Sequence, residues 1–229
     1  MKKTQMILMS VMAAGLLLAS GCAGPSASVQ DEEKEGLGYT FNAKALLQKG
    51  DKLFEEKQYI EAGQEYRNFL DLHPAHESAS YVQYRIGLCF FNQIQTVDRD
   101  MDPLYKSLEA FQTLLAVYPG APNAADAEAK IGIIRNKLAE REFYVGRFYL
   151  HKKAYPAAIE RFNTVLREYP DAPVAEKSLY HLGLAYEGFG EPHQAVESLK
   201  NFLDRYPGSP YRMDAAEVLS HLKGTESPL

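Results

Sequence analysis

The chain has 229 residues, 46% hydrophobic and 24% charged, with 25 basic and 30 acidic residues for a formal charge of −5. That composition suits one or two globular domains, and the acidic balance argues against nucleic acid as a partner, because phosphate binding needs a basic surface. The two cysteines, Cys22 and Cys89, are too few for a disulfide framework and lack the paired spacing of a zinc site.

Residues 1–21 read as an export signal. Lys2 and Lys3 supply the positive start, Ile7 to Leu18 the apolar segment, and Ala19-Ser20-Gly21 the small residues before a cut. The ending Leu-Ala-Ser-Gly-Cys resembles a bacterial lipoprotein signal, which implies cleavage before Cys22 and lipidation of its sulfur. Loss of the leader takes the charge from −5 to −7. Ala23 stands where retention in the inner membrane calls for Asp, so the implied destination is the outer membrane, facing the periplasm. Residues 22–38 carry the lipidated cysteine and a Gly, Ser, Pro and acid-rich tether. Such a tether spans roughly 20–24 Å as a coil and about 55 Å at full stretch.

From about residue 39 the pattern is helical. Leu138 to Pro170 gives two amphipathic helices with Gly146, Ala158, Phe162 and Tyr169-Pro170 at set offsets. Gly50, Ala62, Tyr66 and Pro74 keep those offsets, as do Gly183, Ala195, Leu199 and Pro207. The spacing is that of the tetratricopeptide repeat, a helix-turn-helix that buries its apolar face by stacking on neighbours. Small Gly and Ala let paired helices approach; the aromatic or Leu fills the gap. Between Gly87 and Pro119 the unit is enlarged at Asn92 to Asp102. Asp102-Pro103 then reads as an N-cap and first helical proline. Asn123 with Asp126 reads as the start of one helix to about residue 152, with a stripe of Ala127, Ile131, Ile134, Leu138, Val145 and Phe148. Ser209-Pro210 precedes a final helix to about Leu222. The expectation is an all-α solenoid of about four repeats with a C-terminal capping helix: 39–95 for repeat one and the first helix of repeat two, 96–102 an inserted loop, 103–223 the rest, and 224–229 a disordered tail.

No phosphate-binding glycine loop, zinc-protease helix or nucleophile elbow occurs, so no catalytic residue, metal ligand or cofactor is assigned. His73 and His76 flank Pro74 without a third ligand, and Cys89 reads as a buried small hydrophobe. Residues 23–66 carry a net charge of −4 and residues 124–170 one of +3; either these are solvated helix faces, or an acidic protein surface docks on the middle of the chain. If first helices line the concave face, Leu47, Phe54, Tyr81, Tyr84 and Phe91 are groove-facing. They serve either packing between repeats or capture of an extended peptide. Arg141 falls on the apolar stripe of the long helix, to snorkel, pair with a glutamate or meet a partner.

The lipoprotein leader, Val97-Asp98-Arg99-Asp100 in the enlarged loop, the Leu138-Ala-Glu-Arg-Glu run, Gly146-Arg-Phe-Tyr149, and Arg161-Phe162 before Tyr169-Pro170-Asp171 together resemble the BamD family. The resemblance implies a non-enzymatic lipoprotein scaffold of the machine that folds β-barrel proteins into the outer membrane. Its implied partners are the POTRA domains of BamA, unfolded barrel proteins, and other Bam lipoproteins, with the membrane reached through the lipid. It implies that Arg161 faces BamA, with Arg141 and Arg147 grouped beside it, since a guanidinium fork can hold a carboxylate at two points. The chain holds four repeats and a cap where better-known members hold five. The alternative is a repeat lipoprotein of another envelope machine, as a secretin pilotin or a Tol-Pal companion.

Overall fold

The computed structural model describes residues 42–94 and 100–225. The leader, Cys22, the tether, Val97-Asp98-Arg99 and the last four residues lie outside the described residues. Nine helices occur among those described: α1 (Ala43–Glu55), α2 (Tyr59–Leu72), α3 (Ala79–Phe91), α4 (Asp102–Val117), α5 (Ala124–His151), α6 (Tyr155–Glu168), α7 (Val174–Phe189), α8 (Pro192–Arg205) and α9 (Arg212–Thr225). Each packs on its successor, and α5 also meets α7. The result is four helix pairs, α1/α2 to α7/α8, closed by α9. The last helix runs through Gly224 and Thr225, into the stretch expected as tail.

The repeat offsets correspond to one steric device used four times. A Cβ on Gly146 would lie 2.7 Å from the fully buried Phe162 ring, inside any real carbon contact. Gly50 lies against Tyr66 and Gly183 against Leu199 in the same way, also at 2.7 Å, and Gly87 lies under Phe111. Only a bare α-carbon admits the large side chain of the second helix at that point. Ala62, Ala158 and Ala195 are fully buried beside them.

The turns repeat as well. After α1, α5 and α7 one residue enters the left-handed region: Lys57 (φ 61°), Lys153 (φ 58°) and Gly190 (φ 85°). The following N–H then reaches back to Leu53, Tyr149 and Tyr186 carbonyls at 2.9, 2.9 and 3.0 Å, closing the helix end in a Schellman pattern. Between repeats, Pro74, Pro119, Pro170 and Pro207 each follow the residue that closes a second helix.

Three starts differ from the sequence reading. Asp102 is the first helical residue rather than the cap, which is Met101; Asp100 Oδ1 accepts the Asp102 N–H at 2.9 Å and Lys106 holds the Asp102 carboxylate at 2.6 Å. Asn123 caps α5 without a side-chain bond. Ser209 precedes its helix by a turn, its hydroxyl accepting the Tyr211 N–H at 3.2 Å.

The long helix changes neighbours midway. Ala127, Ile134 and Leu138 pack with Leu104, Phe111 and Leu114 of α4 in one core, whereas Ala139 and Phe143 pack with Phe162, Val165 and Leu179 in another. The buried stripe therefore winds around α5. It leaves Val145 partly buried and Phe148 exposed, against the expectation that Phe148 lies inside. Cys89 is buried, and burial pushes its thiol up to about 12. His73 and His76 lay their rings against Phe69.

Candidate functional site

The five groove candidates are all partly buried, and they divide between two cores. Leu47, Phe54 and Tyr81 pack on the core around Tyr66 and Phe69; Tyr84 and Phe91 pack on the core around Phe111. The Arg85 guanidinium lies 3.8 Å from the Phe54 ring centre and donates from Nε to the Tyr66 hydroxyl at 2.9 Å. Tyr66 and Tyr81 both donate to Asp51 Oδ1, at 2.6 and 3.0 Å, and Arg85 stands 3.5 Å from the same oxygen. Burial and the carboxylate beside them hold both phenols protonated, far above the usual phenol range for Tyr66. Burial works against the Arg85 charge, but the Tyr66 hydroxyl and Asp51 outweigh it. On the next joint, Tyr84 donates to Asp126 at 2.5 Å, and Lys130 caps the Phe91 ring at 4.9 Å while pairing with Asp126 at 3.5 Å. The five side chains thus pack within the cores of the first two helix pairs and the start of α5, with Arg85 over the Phe54 ring and Lys130 over the Phe91 ring.

The three arginines do not converge on one point. Arg161 on α6 reaches back to α5, donating from Nη1 to Glu142 Oε2 at 3.0 Å; that bond and charge raise its pKa further, and the group is partly exposed. Arg147 lies 5.8 Å from the Phe143 ring and acts on His181 of α7, so it faces the opposite flank of α5. Arg141 and Arg147 are six residues apart, about 120° around the helix at 3.6 residues per turn. Arg141 is partly buried and has interactions of its own. Arg161 presents its guanidinium together with a carboxylate, Glu142, that fixes its direction.

Sequence reasoning missed a face on α5. With Phe143 and Gly146 turned to α6 and α7, and Glu142 to Arg161, the remaining side presents Ile133, Tyr144 and Phe148 at 45, 59 and 53% exposure. Beside it, His181 sits among Phe143, Phe162, Tyr180 and Tyr211, its Nδ1–H donating to the Lys177 carbonyl at 2.8 Å. The signal available in sequence was the Tyr144 to Phe148 spacing, one turn apart and off the Ala139–Phe143–Gly146 stripe.

Behind α3, two adjoining clefts of about 390 and 300 Å³ share Arg67, Phe90 and Lys106. Both cations approach the Phe90 ring, at 5.5 and 5.7 Å. Asp71, Glu109 and Asp102 also line them, so charge selects no ligand there. No helix among the described residues is long and apolar enough to cross a membrane.

Known proteins resemble most of this body, from the first helix onward. Residues 43–196 match the family YfiO, described as outer membrane lipoprotein. The chain is 29% identical over 180 residues to the outer membrane protein assembly factor BamD of Caulobacter vibrioides, covering 79% of this chain and 59% of that one. It is 31% identical over 172 residues to the protein of the same name from Rickettsia prowazekii, covering 75% and 68%. The chain thus spans about three fifths of the length of the first curated relative it matches. Among solved structures it is similar to YrrB, a TPR protein with an unusual peptide-binding site, at 17% identity and a TM-score of 0.34, covering 84% of this chain and all of that one.

Proposed function

The chain belongs to the YfiO family of outer membrane lipoproteins, and from that premise we propose that it is a non-enzymatic scaffold for assembling outer membrane proteins. In this reading residues 1–21 are removed, Cys22 carries the lipid, and residues 22–38 tether the repeat body on the periplasmic side. The body docks the POTRA domains of a BamA-type subunit through the Arg161 flank, in company with further Bam lipoproteins, and helps receive unfolded barrel proteins. The observation that carries the reading is the family match over residues 43–196, which spans three of the four helix pairs and most of the fourth.

Arg161 supports the docking half of the proposal on physical grounds. Glu142 fixes one arm of the guanidinium while the group stays partly exposed, which leaves donors for a partner's carboxylate at little cost in side-chain ordering. The test is a photo-crosslinking amino acid at position 161 in cells, with the adduct identified by mass spectrometry. Capture of a POTRA domain is expected. Capture of a secretin or a Tol-Pal component would replace the proposal with the alternative envelope machine.

A further inference from the structure

The exposed side of α5 sets two large rings among cations, with Phe148 meeting the Tyr149 ring edge-on at 5.7 Å. Tyr144 and Phe148 stand one helical turn apart, about 6 Å along the axis, and both are more than half exposed. That separation is close to the roughly 6.6 Å between alternate side chains of an extended strand. An extended segment can therefore seat two same-side apolar groups on the pair.

Cations surround the pair. Lys137 precedes Tyr144 by two turns on the same side of the helix. Lys152 Nζ lies 5.9 Å from the Phe148 ring centre. Arg147, the residue preceding Phe148, is exposed. Between Lys137 and Lys152 the acids are Glu142, which pairs with Arg161, and Glu140, exposed one turn before Tyr144 on the same side; Lys137, Arg147 and Lys152 outnumber it around the rings. An apolar pair in a basic frame selects an acidic partner, since like charges brought together there would be repelled.

We propose that the face of α5 around Tyr144 and Phe148 is a docking site for an extended acidic segment of another protein, with two alternate apolar side chains between carboxylates. The segment lays its apolar groups on the two rings and its acids toward Lys137 and Lys152. This is strand-like capture by side chains, on the flank of α5 away from the Glu142–Arg161 pair.

The test uses the mature chain from Cys22 onward and a fluorescein-labelled synthetic peptide, EELSFSEE, with KKLSFSKK as its charge-reversed control, read by anisotropy. Saturable binding of the acidic peptide is expected, weakened at least tenfold by Tyr144→Ala with Phe148→Ala, weakened by salt, and absent for the basic control. Because both rings are exposed, the double variant should unfold at the wild-type urea midpoint. If it does not, Lys137→Glu with Lys152→Glu gives the same reading by shifting preference toward the basic peptide. No binding of the acidic peptide, equal binding of the two peptides, or binding indifferent to both variants overturns the proposal. So does ring-dependent binding to phosphatidylglycerol vesicles without peptide binding, which would make the face a membrane contact. No POTRA domain is present in the assay, so a failed capture at position 161 leaves this result standing.

Discussion

Gly132 and Gly146 lie on the same helix, and the same substitution is expected to act on them in opposite directions. A Cβ at Gly132 meets nothing within 4 Å. Alanine there should stabilise α5 by about 0.5–1 kcal/mol through restored helix propensity, raising Tm by about 1–4 °C in a body of this size. At Gly146 the new carbon lies 2.7 Å from the Phe162 ring, which has no exposed side to move toward. Overpacking of a filled core costs about 1–3 kcal/mol, and the propensity gain of about 1 kcal/mol offsets part of it. The expected net loss is up to about 2 kcal/mol. Urea titration of the two variants beside wild type, with equal m-values required for comparison, measures the split. If Gly146→Ala is as stable as Gly132→Ala, the close approach of α5 to α6 is not what keeps glycine in the repeat, and the same argument for Gly50, Gly87 and Gly183 fails with it.

Two further predictions concern polar groups. Tyr66→Phe removes the hydroxyl that donates to Asp51 and accepts from Arg85; with Tyr81 still donating to Asp51 and Arg85 still beside it, losing these two bonds to charged groups should cost about 1–3 kcal/mol, read as a lower urea midpoint. Burial holds the His181 pKa below its ordinary 6.5, with Arg147 and Lys177 adding to the effect and the Lys177 carbonyl opposing it. The unfolded chain then takes the proton first as pH falls, so the His181 contribution is intact above about pH 6.5 and is lost on descent through the folded value. Thermal melts from pH 7.5 to 5.0 should show a decline that His181→Gln flattens; an equal decline in that variant would assign the effect elsewhere.

The repeats were legible because the close approach of paired helices is local chemistry. Gly, Ala and a large side chain at fixed offsets leave few other ways to pack, and the enlarged unit from Gly87 kept the same pairing, with Phe111 over Gly87. Phe148 was misjudged for the converse reason. A periodic stripe assumes one neighbour along the whole helix, whereas α5 leaves α4 near Leu138 and takes up α6 and α7 from Ala139. Apolar side chains that keep the original period are thereby turned outward. The groove candidates lie on α1 and α3, and their surroundings depend on Arg85, Asp51, Asp126 and Lys130, with the hydroxyl pairs 15 to 42 residues apart in sequence. No window on the sequence brings those groups together. Arg161 drew attention through a family resemblance, and its partner Glu142, 19 residues back on the preceding helix, was not foreseen.

Leu138 and Ala139 are chain neighbours that answer to different cores, and the 28-residue helix through them is unbroken. Mechanically, α5 is a beam clamped at both ends, about 42 Å long at 1.5 Å per residue. Neither clamp can tilt alone: a rotation of about 5° about one end sweeps the other by roughly 3–4 Å over that length, more than a packed core absorbs without changing its contacts. One end carries the Tyr84–Asp126 link to the second helix pair, and the other carries Glu142, Arg147 and the exposed rings. A load applied at the far end therefore arrives at the Tyr84 joint as displacement, with no hinge between them to dissipate it.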